Sequence, residues 1–189
     1  MNNEMRAENY KGYEIKILID ENPENPRDWD NLGTMVCFHR RYSLGDKHSF
    51  ASPEEFQEFL KEAKPPVVIA LYLLDHSGIT MRAGKSFSDV DPGQWDSGLV
   101  GYSYVTKEAL KKEKLSAQRA REIILGEIKV YDAYISGSVF GYTIEGTELE
   151  DSVWGFYDLD DCMKEAKSVI DSVASKIPIE AWERRYIVA

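Results

Sequence analysis

Apolar and polar residues alternate from Tyr13 to Asp20, with Ile15, Ile17 and Ile19 on one face and Glu14 and Lys16 between them. That period of two is the signature of a half-buried strand. The run ENPENPRDWDN that follows carries Pro23, Pro26, Asn22, Asn25 and Asn31, residues that favour turns, so a loop is expected before a second strand over about Leu32 to His39. Ser52-Pro53-Glu54-Glu55 combines a capping serine, a first-turn proline and a glutamate that can reach back, which starts a helix. Its apolar positions Phe56, Phe59, Leu60 and Ala63 recur at three and four, and Pro65-Pro66 stops it. Val67 to Leu74 is nearly continuous in apolar residues, and the turn Asp75-His76-Ser77-Gly78 joins it to Ile79–Ala83 as a hairpin. Gly98 to Val105 reads as a glycine-rich and aromatic strand. Ser116 to about Ile135 places Ala120, Ile123, Ile124, Ile128, Tyr131 and Ile135 on one helical stripe. Two further strands, Val139 to Ile144 and Ser152 to Tyr157, flank an acidic loop. A last helix from near Asp160 carries Met163, Ala166, Ile170, Val173 and Ile177 and ends before Pro178. Strands arrive in adjacent groups rather than alternating with helices. The pattern therefore predicts an α+β fold: one domain over residues 1–189, a mostly antiparallel sheet of about seven strands, and three main helices packed on one side.

At 189 residues such a chain can bury roughly 70% of its extended surface, so a core needs no covalent staple. Cys37 and Cys162 stand far apart without C-x-x-C spacing, which argues for buried apolar residues rather than a disulfide or zinc site. The longest apolar run, Val67 to Leu74, is far shorter than the roughly 20 residues of a membrane span, and MNNEMRAENY lacks the apolar centre of a signal peptide. A cytoplasmic location without membrane contact is expected. With 23 basic against 33 acidic side chains the net charge is −10, which disfavours general nucleic-acid binding. That charge is unevenly spread. Lys107 to Arg121 holds six basic against two acidic residues, a net +4, and Glu145 to Glu165 holds eight acids against Lys164, a net −7. Solvated surface is the default meaning of both stretches.

Several short patterns resemble catalytic motifs and fail on spacing. Arg82-Ala83-Gly84-Lys85-Ser86 ends like a phosphate-binding loop, but five residues rather than four separate Gly78 from Gly84, and Asp89, Asp91 and Pro92 follow where a helix should start. Asp75-His76-Ser77 has the residue types of a hydrolase triad, yet adjacent turn residues diverge, and Asp75 is expected to bond backbone amides of its turn. His39, His48, His76 and Asp46 lack the spacing of a metal site, and no metal or other cofactor is expected. The most unusual segment is Trp29 to Tyr42, where His39, Arg40 and Arg41 follow a strand. Guanidinium groups there could clamp a phosphate or carboxylate, or pair with the surrounding acids. Tryptophans beside acidic or small residues (Trp29-Asp30, Trp95-Asp96, Trp154-Gly155) are either sheet-edge packing or the wall of a pocket for a planar ligand, with Tyr102, Tyr104, Tyr131, Tyr134 and Tyr142 as further walls.

The strings DWDNLGTMVCFHRRYSLGDKH (Asp28–His48), LYLLDHSGITM (Leu71–Met81), QWDSGLVGYSYVTKE (Gln94–Glu108), GEIKVYDAYISGSVFGYTIE (Gly126–Glu145) and DSVWGFYD (Asp151–Asp158) resemble a family of small proteins encoded by bacteriophages and other mobile elements. The resemblance implies an accessory protein acting in the host cytoplasm, with anti-defence or host-modulating inhibition as a contextual expectation. It implies no reaction and no catalytic residue. Two functions follow. The first is binding to a host or phage protein through an acidic docking face made by Glu145, Glu148, Glu150, Asp151, Asp158, Asp160 and Asp161. The second is binding, or hydrolysis, of a nucleotide-like ligand at an anion site assembled from His39, Arg40, Arg41, Asp75, His76, Trp95 and Asp96.

Overall fold

The computed structural model describes residues 3–146 and 149–174. Among these residues the order is β1 (Glu4–Tyr10), β2 (Tyr13–Ile19), β3 (Thr34–Cys37), α1 (Pro53–Ala63), β4 (Val67–Asp75), β5 (Ile79–Ala83), β6 (Ser97–Val105), α2 (Lys107–Glu113), α3 (Ala117–Ile135), β7 (Phe140–Glu145), β8 (Asp151–Phe156) and α4 (Leu159–Ala174), with a short 3-10 turn at Pro26–Asp28. The fold is α+β and every strand pair is antiparallel. The expectation of one sheet of about seven strands is corrected to eight strands in two sheets, ordered β1-β2-β7-β8 and β3-β6-β4-β5. Four helices replace three, because Thr106 caps a separate α2 by accepting from Ala109 N. No described helix is long and apolar enough to cross a membrane.

Contacts group the chain into two compact units. Residues 1–24 and 137–189 make the first, in which β2 pairs with β7 through Ile15↔Ile144 and Ile17↔Tyr142. Tyr13, Ile15, Ile17, Phe140, Tyr142 and Ile144 form its buried sheet face, against Cys162, Met163, Ala166 and Ile170 of α4. These are spacings of two on the strands and three and four on the helix, as burial of one face requires. Ile177, expected on the same stripe, lies outside the described residues.

The second unit, residues 25–136, has a sheet with a helix on each face, which corrects the expectation of helices on one side. Met35, Cys37, Ile69, Leu71, Leu73 and Val105 face Ala120, Ile124, Ile128 and Tyr131 of α3. Val36 and Tyr104 point the other way, to Phe56 of α1. Alternation along β3 and β6 thus feeds two cores, so these strands carry apolar side chains on successive residues. The α1 signature holds in detail: Ser52 Oγ accepts from Glu55 N at 3.3 Å, and Glu55 Oε2 accepts from Ala51 N at 2.6 Å. Both cysteines are buried and free, and burial pushes each thiol up to about 12.

Candidate functional site

Arg27, which nothing in its local sequence singles out, organises the second unit. Its side chain is 3% exposed. Nε donates to Asp46 Oδ1 at 2.8 Å and Nη2 to Asp46 Oδ2 at 2.9 Å, a two-pronged pair, while Nη2 also donates to Gly33 O at 2.6 Å. Asp46 accepts in addition from Met35 N at 2.8 Å. Glu127 of α3 accepts from Leu32 N at 2.7 Å and Gly33 N at 3.1 Å, and its Oε2 lies 3.7 Å from Arg27 Nη1. Gly33 has to be glycine for this: an added Cβ would sit 3.0 Å from Glu127 Oε2 and 2.7 Å from Ile124 Cγ2. Burial raises the Glu127 carboxyl above its ordinary 4.5, against the lowering effect of the Leu32 and Gly33 amides.

This cluster fastens the base of a loop that leaves β3. Val36 bridges to Gly45, Asp46 N donates to Met35 O at 2.7 Å, and Gly45 N donates to the Tyr131 hydroxyl at 2.8 Å. Between those anchors the chain makes a compact closed excursion. The His39 and Tyr42 rings stack at 5.0 Å, and the amides of Arg41 and Tyr42 both donate to His39 Nδ1 at 3.3 Å. An Nδ1 that accepts carries no proton, so the neutral ring is protonated on Nε2, which faces Asp75 Oδ2 at 4.0 Å. His48 Nε2 donates to Cys37 O at 3.1 Å. The loop from Cys37 to His48 curls around a recess of about 810 Å³.

The charges lining that recess are unequal. Its one carboxylate among the described residues, Asp46, is already engaged by Arg27. Arg41 is held by Asp75, which also accepts from the Tyr42 hydroxyl at 3.3 Å. Arg40 and Lys47 line the recess with no ion pair or hydrogen bond among the described residues. A net-acidic chain has here placed two uncompensated cations in one concavity.

His39, Arg40 and Arg41 also line a second recess of about 390 Å³, whose other walls include Asp75, Trp95 and Asp96. Six of the seven residues expected at an anion site therefore converge. The seventh, His76, lines neither recess and instead has its Nδ1 2.9 Å from Asp96 Oδ2. Asp75 and His76 diverge as adjacent turn residues should, but Asp75 bonds Arg41 and Tyr42 rather than amides of its own turn. Trp29 and Asp30 line neither recess. Tyr102 and Tyr104 pack around Phe56, and Tyr142 lies in the core of the first unit. Lys85 of the Gly-Lys-Ser string pairs with Asp89 at 3.6 Å, and no helix follows it.

The expected acidic face serves local structure at several positions. Glu145 pairs with Lys16 at 3.1 Å, and Asp151 accepts from Ser152 N at 2.9 Å. Asp158 caps α4 by accepting from Asp160 N and Asp161 N at 3.1 and 3.3 Å, and Asp160 and Asp161 occupy the first turn, where the helix dipole favours anions. Glu150 is exposed, and Glu148 lies outside the described residues. The basic stretch from Lys107 falls on α2 and the start of α3, where Arg119 pairs with Glu122 at 3.0 Å. Sequence reasoning missed Arg27, Lys47 and Glu127. The repeated Gly and Asp of DNLG and LGD mark the turns where two of their partners sit. No protein-family model, no curated protein and no solved structure matches the chain.

Proposed function

We propose that this protein binds a small phosphate-bearing ligand in the recess of the Cys37–His48 loop, as a binding accessory protein of the bacteriophage or mobile-element kind its sequence resembles. The carrying observation is that Arg40 and Lys47, unpaired among the described residues, share a recess whose carboxylate is neutralised by Arg27. Two uncompensated cations on a loop anchored at Gly45 and Asp46 supply charge-assisted hydrogen bonds to a multiply charged anion. Both nitrogens of His39 are directed to protein groups, which supports a binding site over one built around that imidazole as a base.

Calorimetric titration with sodium tripolyphosphate tests the reading. Binding should weaken with added salt. It should fall by about tenfold or more for Arg40→Ala and again for Lys47→Ala, as loss of a hydrogen bond to a charged group implies. Absence of binding by the unaltered protein, or equal binding by the double variant, contradicts it.

A further inference from the structure

We infer that the ligand is a nucleotide, its phosphates in the Cys37–His48 recess and its base in the adjoining recess against Trp95. The inference rests on the anion reading above and adds the chemical class of the remainder of the ligand.

The two recesses share His39, Arg40 and Arg41 as a common wall, so one molecule can occupy both with its link crossing the arginines. Their charges sort its ends. Arg40 and Arg41 line both recesses, but the first adds Lys47 and only the Arg27-paired Asp46, whereas the second adds Asp75, paired with Arg41, and Asp96, whose remaining lone pairs accept hydrogen bonds from a neutral ring. The second recess also has exposed apolar side chains in its wall. Trp95 is 89% exposed and Leu99 45% exposed, and both line it above buried Leu73 and Val100.

The backbone that carries Trp95 is held in place. Asp91 accepts from Trp95 N at 3.2 Å, from Asp96 N at 3.1 Å and from the Ser97 hydroxyl at 2.8 Å. Gln94 takes a left-handed φ of 50°, and Gly93 leaves room for the indole, which an added Cβ would overlap. The protein thus spends a dedicated carboxylate and an unfavourable backbone conformation to present an open aromatic face. An exposed indole that shares a recess with Arg40 and Arg41 offers a face on which a base can stack. Asp96 then favours a base over a plain aryl ring, because nucleobases carry N–H donors and a phenyl ring has none.

The test is calorimetry with tripolyphosphate, adenosine triphosphate and cytidine triphosphate, and with phosphotyrosine against adenosine monophosphate, on the unaltered protein and on Trp95→Ala. Base stacking should make at least one triphosphate nucleotide bind about 5- to 100-fold tighter than tripolyphosphate. In Trp95→Ala the ratio of those affinities should fall towards one, and adenosine monophosphate should outcompete phosphotyrosine on the unaltered protein. Equal binding of tripolyphosphate and both nucleotides overturns the inference while leaving the anion site in place. So does a ratio unchanged by Trp95→Ala, or phosphotyrosine binding at least as tightly as the nucleotide. Failure of every phosphate compound to bind removes the anion site itself and the inference with it.

Discussion

Arg27 and Arg40 belong to the same unit of the protein and carry the same guanidinium, yet one is 3% exposed and tied to Asp46 by two nitrogens while the other is exposed and unpaired. Arg27 has been desolvated, so its charge must be matched: Asp46 takes two of its nitrogens and Glu127 approaches a third. Arg40 keeps its hydration and needs no partner. Burial turns an arginine into architecture, and exposure on a well-anchored loop leaves it available. The two roles are linked, because Arg27 neutralises Asp46, the one carboxylate among the described residues lining the Cys37–His48 recess, to which Arg40 contributes.

The comparison breaks most severely at Arg27. Arg27→Met should leave Asp46 and Glu127 as poorly compensated carboxylates and lower the unfolding free energy by about 3–5 kcal/mol, read by urea denaturation. A loss under 1 kcal/mol would mean the cluster contributes little. Glu127 gives the next effect, through pH. Its carboxyl sits above 4.5 in the folded state because it is buried, so between that value and the folded one the folded protein holds more protons than the unfolded chain. Stability should therefore decline as pH rises through the window just above 4.5. The difference between stability curves of the unaltered protein and Glu127→Gln should show that slope, and superimposable curves would refute it. Tyr131→Phe removes the acceptor of the Gly45 amide at the loop base and should cost about 1 kcal/mol, with faster hydrogen exchange at Gly45 as its local sign. Arg40→Ala is the smallest perturbation, within about 0.5 kcal/mol of the unaltered protein. A larger loss would show that Arg40 is a structural residue after all.

Local signals were legible and pairings across the chain were not. Ser52-Pro53-Glu54-Glu55 announced α1, and the stripe of Ala120, Ile124, Ile128 and Tyr131 announced α3, because each depends on neighbours within a few residues. The residue types of His39, Arg40, Arg41, Asp75, Trp95 and Asp96 pointed either to an anion site or to ion pairs, and the structure has them line one recess while Arg41 pairs with Asp75. β1 escaped notice because it is an edge strand whose residues are mostly exposed, without the apolar alternation that marks a buried face. Arg27 escaped because its partners come from a loop and from α3, so no spacing connects them. The second sheet escaped for the same reason: β2 and β7 are joined by register and not by proximity in the chain. In the acidic tract, whose charge is conspicuous in the sequence, Asp158 caps α4 and Glu145 pairs with Lys16, contacts that local charge counts do not reveal.

The central claim concerns the Cys37–His48 loop rather than positive charge in general, and the protein contains its own control in the basic stretch Lys107 to Arg121, a net +4. Amide chemical-shift mapping of the 15N-labelled protein during titration with tripolyphosphate compares the two directly. Saturable shifts centred on His39, Arg40, Arg41 and Lys47, with small and unsaturated changes over residues 107–121, are the predicted result. Shifts largest over residues 107–121, or no saturable change in the loop, would contradict it.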